Sequence, residues 1–194
     1  INLPYTNNIE LTFNEVYAPY AFYGYNMNNN TIGIDEVSNN MFSGTYYGIY
    51  ASNSENLNIF HNTIASTGTG NAILIGGFGA TSGDSLDIRN NIFSTESSSA
   101  FYIDGTITNT SFNYNAYFAD TAAGASVAQI GWNNSYQTLA DWRKVDSINN
   151  VNSVEGDNPM YLAPDNLRML ISAVPNDVGD NTVGITTDID GDTR

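Results

Sequence analysis

Residues 57–64 read LNIFHNTI, and the reading of this stretch decides the fold. Leu57 and Ile59 keep a period of two, that of a strand with one buried face rather than of a helix. From Ile59 to Ile64 the pattern is apolar-x-x-Asn-x-apolar. The same pattern stands at Leu11 to Val16 (LTFNEV), Val37 to Phe42 (VSNNMF), Ile88 to Phe93 (IRNNIF) and Phe112 to Tyr117 (FNYNAY). Its asparagines, Asn14, Asn40, Asn62, Asn91 and Asn115, follow one another at intervals of 26, 22, 29 and 24 residues. A constant local pattern at uneven intervals predicts a solenoid whose loops differ in length. A second short element follows four of these asparagines: Ala21-Phe22-Tyr23, Gly48-Ile49-Tyr50, Ala72-Ile73-Leu74 and Ala100-Phe101-Tyr102. Each coil is thus expected to hold two or three short strands.

The recurring Asn has a physical reason. Asn tolerates left-handed backbone and can hydrogen-bond its neighbours, so it suits a tight bend. Coils stacked about 4.8 Å apart place equivalent asparagines over one another. Each carboxamide then donates to the carbonyl oxygen of the next, as in the Asn ladders of cross-β assemblies. The ladder satisfies amides that burial would otherwise leave without partners. Five such coils span about 24 Å.

The segments GIYASNSENLNIFHNTI (Gly48 to Ile64) and LDIRNNIF (Leu86 to Phe93) resemble right-handed parallel β-helix proteins of the pectin-lyase-like superfamily. The resemblance covers roughly residues 9–132 and implies secreted carbohydrate-active proteins or surface adhesins. The segments SFNYNAYF, LADW, DNPMYL and TTDIDGDTR resemble the C-terminal stretch of secreted β-helix proteins of Bacteroidetes-type bacteria. The expected fold is all-β: a right-handed parallel β-helix of about five coils over residues 1–132. A capping and tail region, 133–194, is expected to pack on the same domain. Within it, Thr138 to Val145 reads as a short helix, with Thr138 as its cap and Asp141 in its first turn. Leu139 and Trp142 share one face and are expected to cover the end of the stack. The start at Ile1, already inside a repeat, is read as the C-terminal part of a longer extracellular chain, with neighbouring domains as partners.

Composition narrows the function. The 194 residues carry 20 Asp+Glu against 5 Lys+Arg, a net charge of −15. Such a field repels phosphates, so nucleic acid is not an expected partner. No apolar run reaches the ~20 residues of a membrane span. Cysteine is absent, which removes disulfides and thiolate chemistry.

Four groups of residues are weighed as sites. Tyr23, Tyr50 and Tyr102, with Leu74 between the last two, form an expected outward row, with Tyr46 and Tyr47 as candidates to extend the same surface. Phenol rings suit stacking on sugars, and equally suit ordinary strand pairing. His61, the single histidine, stands beside Asn62 without a His, Cys or Glu cluster, and reads as a bend or flank residue rather than a base. Arg89 has Asp87 two residues before it, so an ion pair explains it better than a lyase base. Asp188, Asp190 and Asp192 resemble the opening of a calcium loop, but Gly191 comes early and no Glu follows. Asp177 and Asp180 are possible additions, and an acidic turn is the alternative. No catalytic residue is assigned. The expected function is a non-catalytic secreted or cell-surface module, adhesive or glycan-binding, with polysaccharide as partner and Ca²⁺ as a candidate cofactor. The alternatives are a polysaccharide lyase or glycoside hydrolase, and a plain structural spacer.

Overall fold

The computed structural model describes residues 1–27, 33–78, 85–105, 110–131, 133–156, 161–169, 179–185, 187, 189–190 and 192. Strand β1 (Asn2–Pro4) precedes five successive coils. The first holds β2 (Glu10–Thr12) and the long β3 (Glu15–Tyr25), and the second β4 (Asp35–Ser38) and the long β5 (Met41–Ser52). The third holds β6 (Leu57–Phe60), β7 (Thr63–Ser66) and β8 (Ile73–Phe78). The fourth holds β9 (Leu86–Arg89), β10 (Ile92–Thr95) and β11 (Ser99–Gly105). The fifth holds β12 (Thr110–Asn113), β13 (Ala116–Ala119) and β14 (Ser126–Ile130). Strand for strand, each coil pairs in parallel with the next. The result is a β-solenoid of about four turns: five rungs, with four full turns from the first to the last.

Three faces follow from the pairing. The first is the sheet β12-β9-β6-β4-β2. β3 and β5 each bend between the other two faces, with a register shift between Ala18 and Tyr20. One inward row runs along each face. Leu11, Val37, Ile59, Ile88 and Phe112 line the first. Val16, Phe42, Ile64, Phe93 and Tyr117 line the second. Phe22, Ile49, Ile73, Phe101 and Ala128 line the third. These rows meet in one apolar core, which the period-two pattern predicted.

The asparagine ladder stands at the bend between the first and second faces. Nδ2 of Asn14, Asn40, Asn62 and Asn91 donates to Oδ1 of the Asn one coil on, at 2.9, 3.0, 3.0 and 3.2 Å. The backbone N–H of the same four residues donates to that same oxygen at 2.9–3.0 Å. Asn115 N–H ends the column on Ser153 Oγ at 3.0 Å. The structure corrects one detail. The left-handed residue is the one before each ladder Asn: Phe13, Asn39, His61, Asn90 and Tyr114, with φ of 53–61°. Turning the chain one residue early lets the Asn aim both its amide and its N–H along the stack. A second bend column closes the third face at Asn26, Asn53, Gly77 and Gly131, again at positive φ.

The far end of the stack is covered. β15 (Asn134–Tyr136) turns back antiparallel on β14, and helix α1 (Leu139–Val145) follows. Thr138 Oγ1 accepts from Asp141 N–H at 3.1 Å, which caps the helix. Leu139 and Trp142 are each 1% exposed, and the indole packs on Phe101, Phe112 and Tyr117. Arg143 donates to the carbonyls of Asn150 and Ser153, while the Tyr117 hydroxyl donates to Asn150 Oδ1 at 2.7 Å. Strand β16 (Val154–Gly156) then adds to β13 on the second face. The hairpin of β17 (Tyr161–Ala163) and β18 (Asn166–Met169) returns over that face, where Tyr161 Oη meets Ser94 Oγ at 3.1 Å. Two later described residues meet the bend column: the Asp180 carbonyl accepts from Asn90 Nδ2 at 2.7 Å and the Thr187 carbonyl from Asn39 Nδ2 at 3.0 Å.

Candidate functional site

The third face carries the aromatic residues. Tyr23, Tyr50, Leu74 and Tyr102 share one register row, and Gln129, which the sequence reading did not include, continues it in the fifth coil. The rings are not equivalent. Tyr23 and Tyr50 lie 5.0 Å apart and within 4° of parallel, so they stack on each other. Tyr102 is only 9% exposed.

Open ring surface gathers instead at the corner between the second and third faces. Tyr20 is 43% exposed and Tyr46 51%. Tyr20 lies 5.8 Å from Tyr46, 5.5 Å from Tyr47 and 6.1 Å from Tyr23. Tyr47 in turn meets the edge of Tyr50 at 5.3 Å. Tyr20, Tyr23, Tyr46, Tyr47 and Tyr50 therefore form one contiguous patch over two coils. Burial, then the neighbouring Tyr20 and Tyr50, push the Tyr47 hydroxyl above the ordinary phenol range. Burial, then Asp104, do the same for Tyr102. These phenols stay protonated and act as both donors and acceptors. The sequence reading missed Tyr20 as a member of the patch. The register shift in β3 brings it opposite Tyr47, and no repeat announces that.

The corner is held by a packed loop. Residues 67–72 pass so close to the second coil that a Cβ at Gly70 falls 1.5 Å from the Tyr46 carbonyl oxygen. A Cβ at Gly68 falls 2.1 Å from that of Thr45. From the other side Thr95 and Ser97 donate to the carbonyls of Gly70 and Gly68, and Ser98 donates to Asn71 Oδ1.

The other candidates are placed as follows. His61 is at φ 55°, the bend position, with its Nε2 3.0 Å from Asn90 Nδ2. Arg89 grips Asp87 through Nε at 2.7 Å and Nη2 at 2.6 Å, and reaches Asp180 at 3.0 Å. These bonds hold the guanidinium in its charged form and raise its pKa further, as the ion-pair reading expects. Asp180 is thereby engaged by Arg89, away from Asp190. Asp190 Oδ1 accepts from Arg168 at 2.6 Å, and Arg168 also holds Glu15 at 2.7 Å. Asp188 and Asp177 lie outside the described residues, as do Trp132, Pro159, Pro175, Gly191 and Arg194. Among the described residues no three of His, Cys, Asp and Glu gather at metal-binding distance. Buried Asp35 has its pKa raised by desolvation, and its Oδ1 accepts from Ile9 N–H at 2.9 Å. No helix among the described residues is long and apolar enough to cross a membrane.

No family model, curated protein or solved structure gives a significant match to this chain. The β-solenoid rests on the strand registers alone.

Proposed function

We propose that the chain is a non-catalytic extracellular module that binds a polysaccharide at the tyrosine corner. The observation that carries this reading is the contiguous patch Tyr20, Tyr23, Tyr46, Tyr47 and Tyr50, with two rings open to solvent. Tilted aromatic rings beside protonated hydroxyls suit a sugar, which offers an apolar face and a rim of hydroxyls. The resemblance of Gly48 to Ile64 and Leu86 to Phe93 to secreted pectin-lyase-like proteins supports the extracellular setting. A glycan array with and without Ca²⁺, paired with assays for reducing ends and unsaturated products, tests the reading. Binding without product, lost on Tyr20→Ala together with Tyr46→Ala, is expected. Product release would turn the assignment to a lyase or hydrolase.

A further inference from the structure

We infer that the glycan taken at the tyrosine corner carries no anionic groups, so that it is a neutral or amine-bearing polymer rather than a uronate, sulfated or phosphorylated one. This rests on the sugar-binding reading above and adds the charge class of the ligand. The chain has five cations. Arg89 lies on the first face between Asp87 and Asp180. Arg143 donates to backbone carbonyls at the capped end, and Lys144 pairs with Asp141 on α1. Arg168 is held by Glu15 and Asp190. Arg194 is outside the described residues. Every described Lys and Arg is thus bound to oxygen away from the corner, and the Ile1 ammonium beside it is taken up by the Ala21 carbonyl at 2.9 Å.

The corner itself offers phenol hydroxyls, and Asp104 stands two coils further along the same face. That carboxylate shares a register row with Tyr25, Ser52 and Gly76, two residues beyond the row of Tyr23, Tyr50, Leu74 and Tyr102. A polyuronate laid along it would meet a carboxylate and the field of a chain at −15 with no guanidinium to bind it bidentately. A neutral sugar meets no such penalty, and an ammonium is drawn by both the field and the ring faces.

The test is calorimetric titration of the whole chain with three soluble polymers: a neutral β-glucan, partially deacetylated chitin and polygalacturonate. Each is run at low and physiological salt. The neutral and amine-bearing polymers are expected to bind at least about tenfold more tightly than polygalacturonate, as a surface potential of a few kT dictates. Salt is expected to weaken the amine-bearing polymer and not the neutral one. Tyr20→Ala and Tyr46→Ala, both at exposed positions, serve as site controls, with unfolding temperature confirming that they fold. Tyrosine-dependent binding of polygalacturonate as tight as that of the glucan overturns the charge assignment and leaves the sugar-binding reading standing. Binding of none of the three, or binding indifferent to both tyrosines, overturns the sugar-binding reading itself.

Discussion

A single rung of the ladder shows how one side chain is over-determined. Asn62 Oδ1 accepts from Asn40 N–H and Nδ2, both at 3.0 Å. Its Nδ2 donates to Asn91 Oδ1, Phe60 O and Val37 O. Asn62→Ala strands several of these groups in a site 1% exposed. A buried polar group left unpaired costs about 1–3 kcal/mol, so a loss of about 4 kcal/mol is expected from urea unfolding. Asn14→Ala, at the half-buried first rung, should cost clearly less; equal losses at both positions would argue against a cooperative column. One residue earlier the constraint is on the backbone. His61 holds φ 55°, so His61→Val should cost about 2 kcal/mol because a β-branched residue resists the left-handed region, whereas His61→Asn should be near neutral. The five asparagines were legible because one chemistry recurs at one place. Of their left-handed neighbours only His61 was legible as a bend, because Phe13, Asn39, His61, Asn90 and Tyr114 share a backbone conformation and no side-chain chemistry.

At the scale of elements, strands and cap were legible for different reasons. Period-two alternation announced the inward rows, and Thr138 with Asp141 announced α1. Trp142 sits under that helix against Phe101 at 5.3 Å, so Trp142→Ala should cost about 3–5 kcal/mol and Thr138→Ala about 1 kcal/mol. Thermal unfolding of both variants checks the ratio, and a Trp142→Ala effect as small as that of the cap would mean the helix does not seal the stack. The loop 67–72 was opaque. Its Gly and Thr name no ligand and belong to no repeat, yet Gly70 is there because the Tyr46 carbonyl leaves no room for a Cβ. Overpacking a close contact costs about 1–3 kcal/mol, and here the atom in the way is backbone of the proposed site. Gly70→Ala should therefore weaken glycan binding along with stability, while Gly124→Ala, with nothing within 4 Å of its Cβ, should lower stability through its φ of 91° and leave binding intact. Titration of both variants separates a loop that positions Tyr46 from one that merely connects strands.

For the whole molecule, the decisive feature is a tail that no periodicity could reveal, because its contacts join residues far apart in the chain through irregular backbone. Asp180 bonds Arg89 and Asn90 in the fourth coil, Thr187 bonds Asn39 in the second, and Arg168 links Asp190 to Glu15 in the first. These contacts run from the fourth coil back to the first, against the direction of winding, and tie the coils together. Two of its links titrate. The Asp180 carboxyl is lowered from 3.8, first by hydrogen bonds to Thr182 and then by Arg89, and that of Asp190 is lowered by Arg168. A carboxylate whose folded pKa is depressed stabilises fully above its unfolded value and loses that contribution as pH falls through the folded one. The strap should therefore hold unchanged from neutral pH down to about pH 4 and loosen below it. Asp35 acts in the opposite sense: its raised pKa favours the protonated folded state, so its ionisation weakens the fold as pH rises above 3.8. Protection of the Asp180 amide, which donates to Asn90 Oδ1 at 2.6 Å, reports the strap directly. Hydrogen exchange down to about pH 3 should show that protection falling before the ladder amides of Asn62 and Asn91 lose theirs. In Asp180→Asn the backbone bonds to Asn90 remain possible but the ion pair is gone, so the acid-dependent part of the loss should flatten. Strap and ladder losing protection together, at one pH, would show that the tail is an integral part of the cooperative stack rather than a tie laid across it.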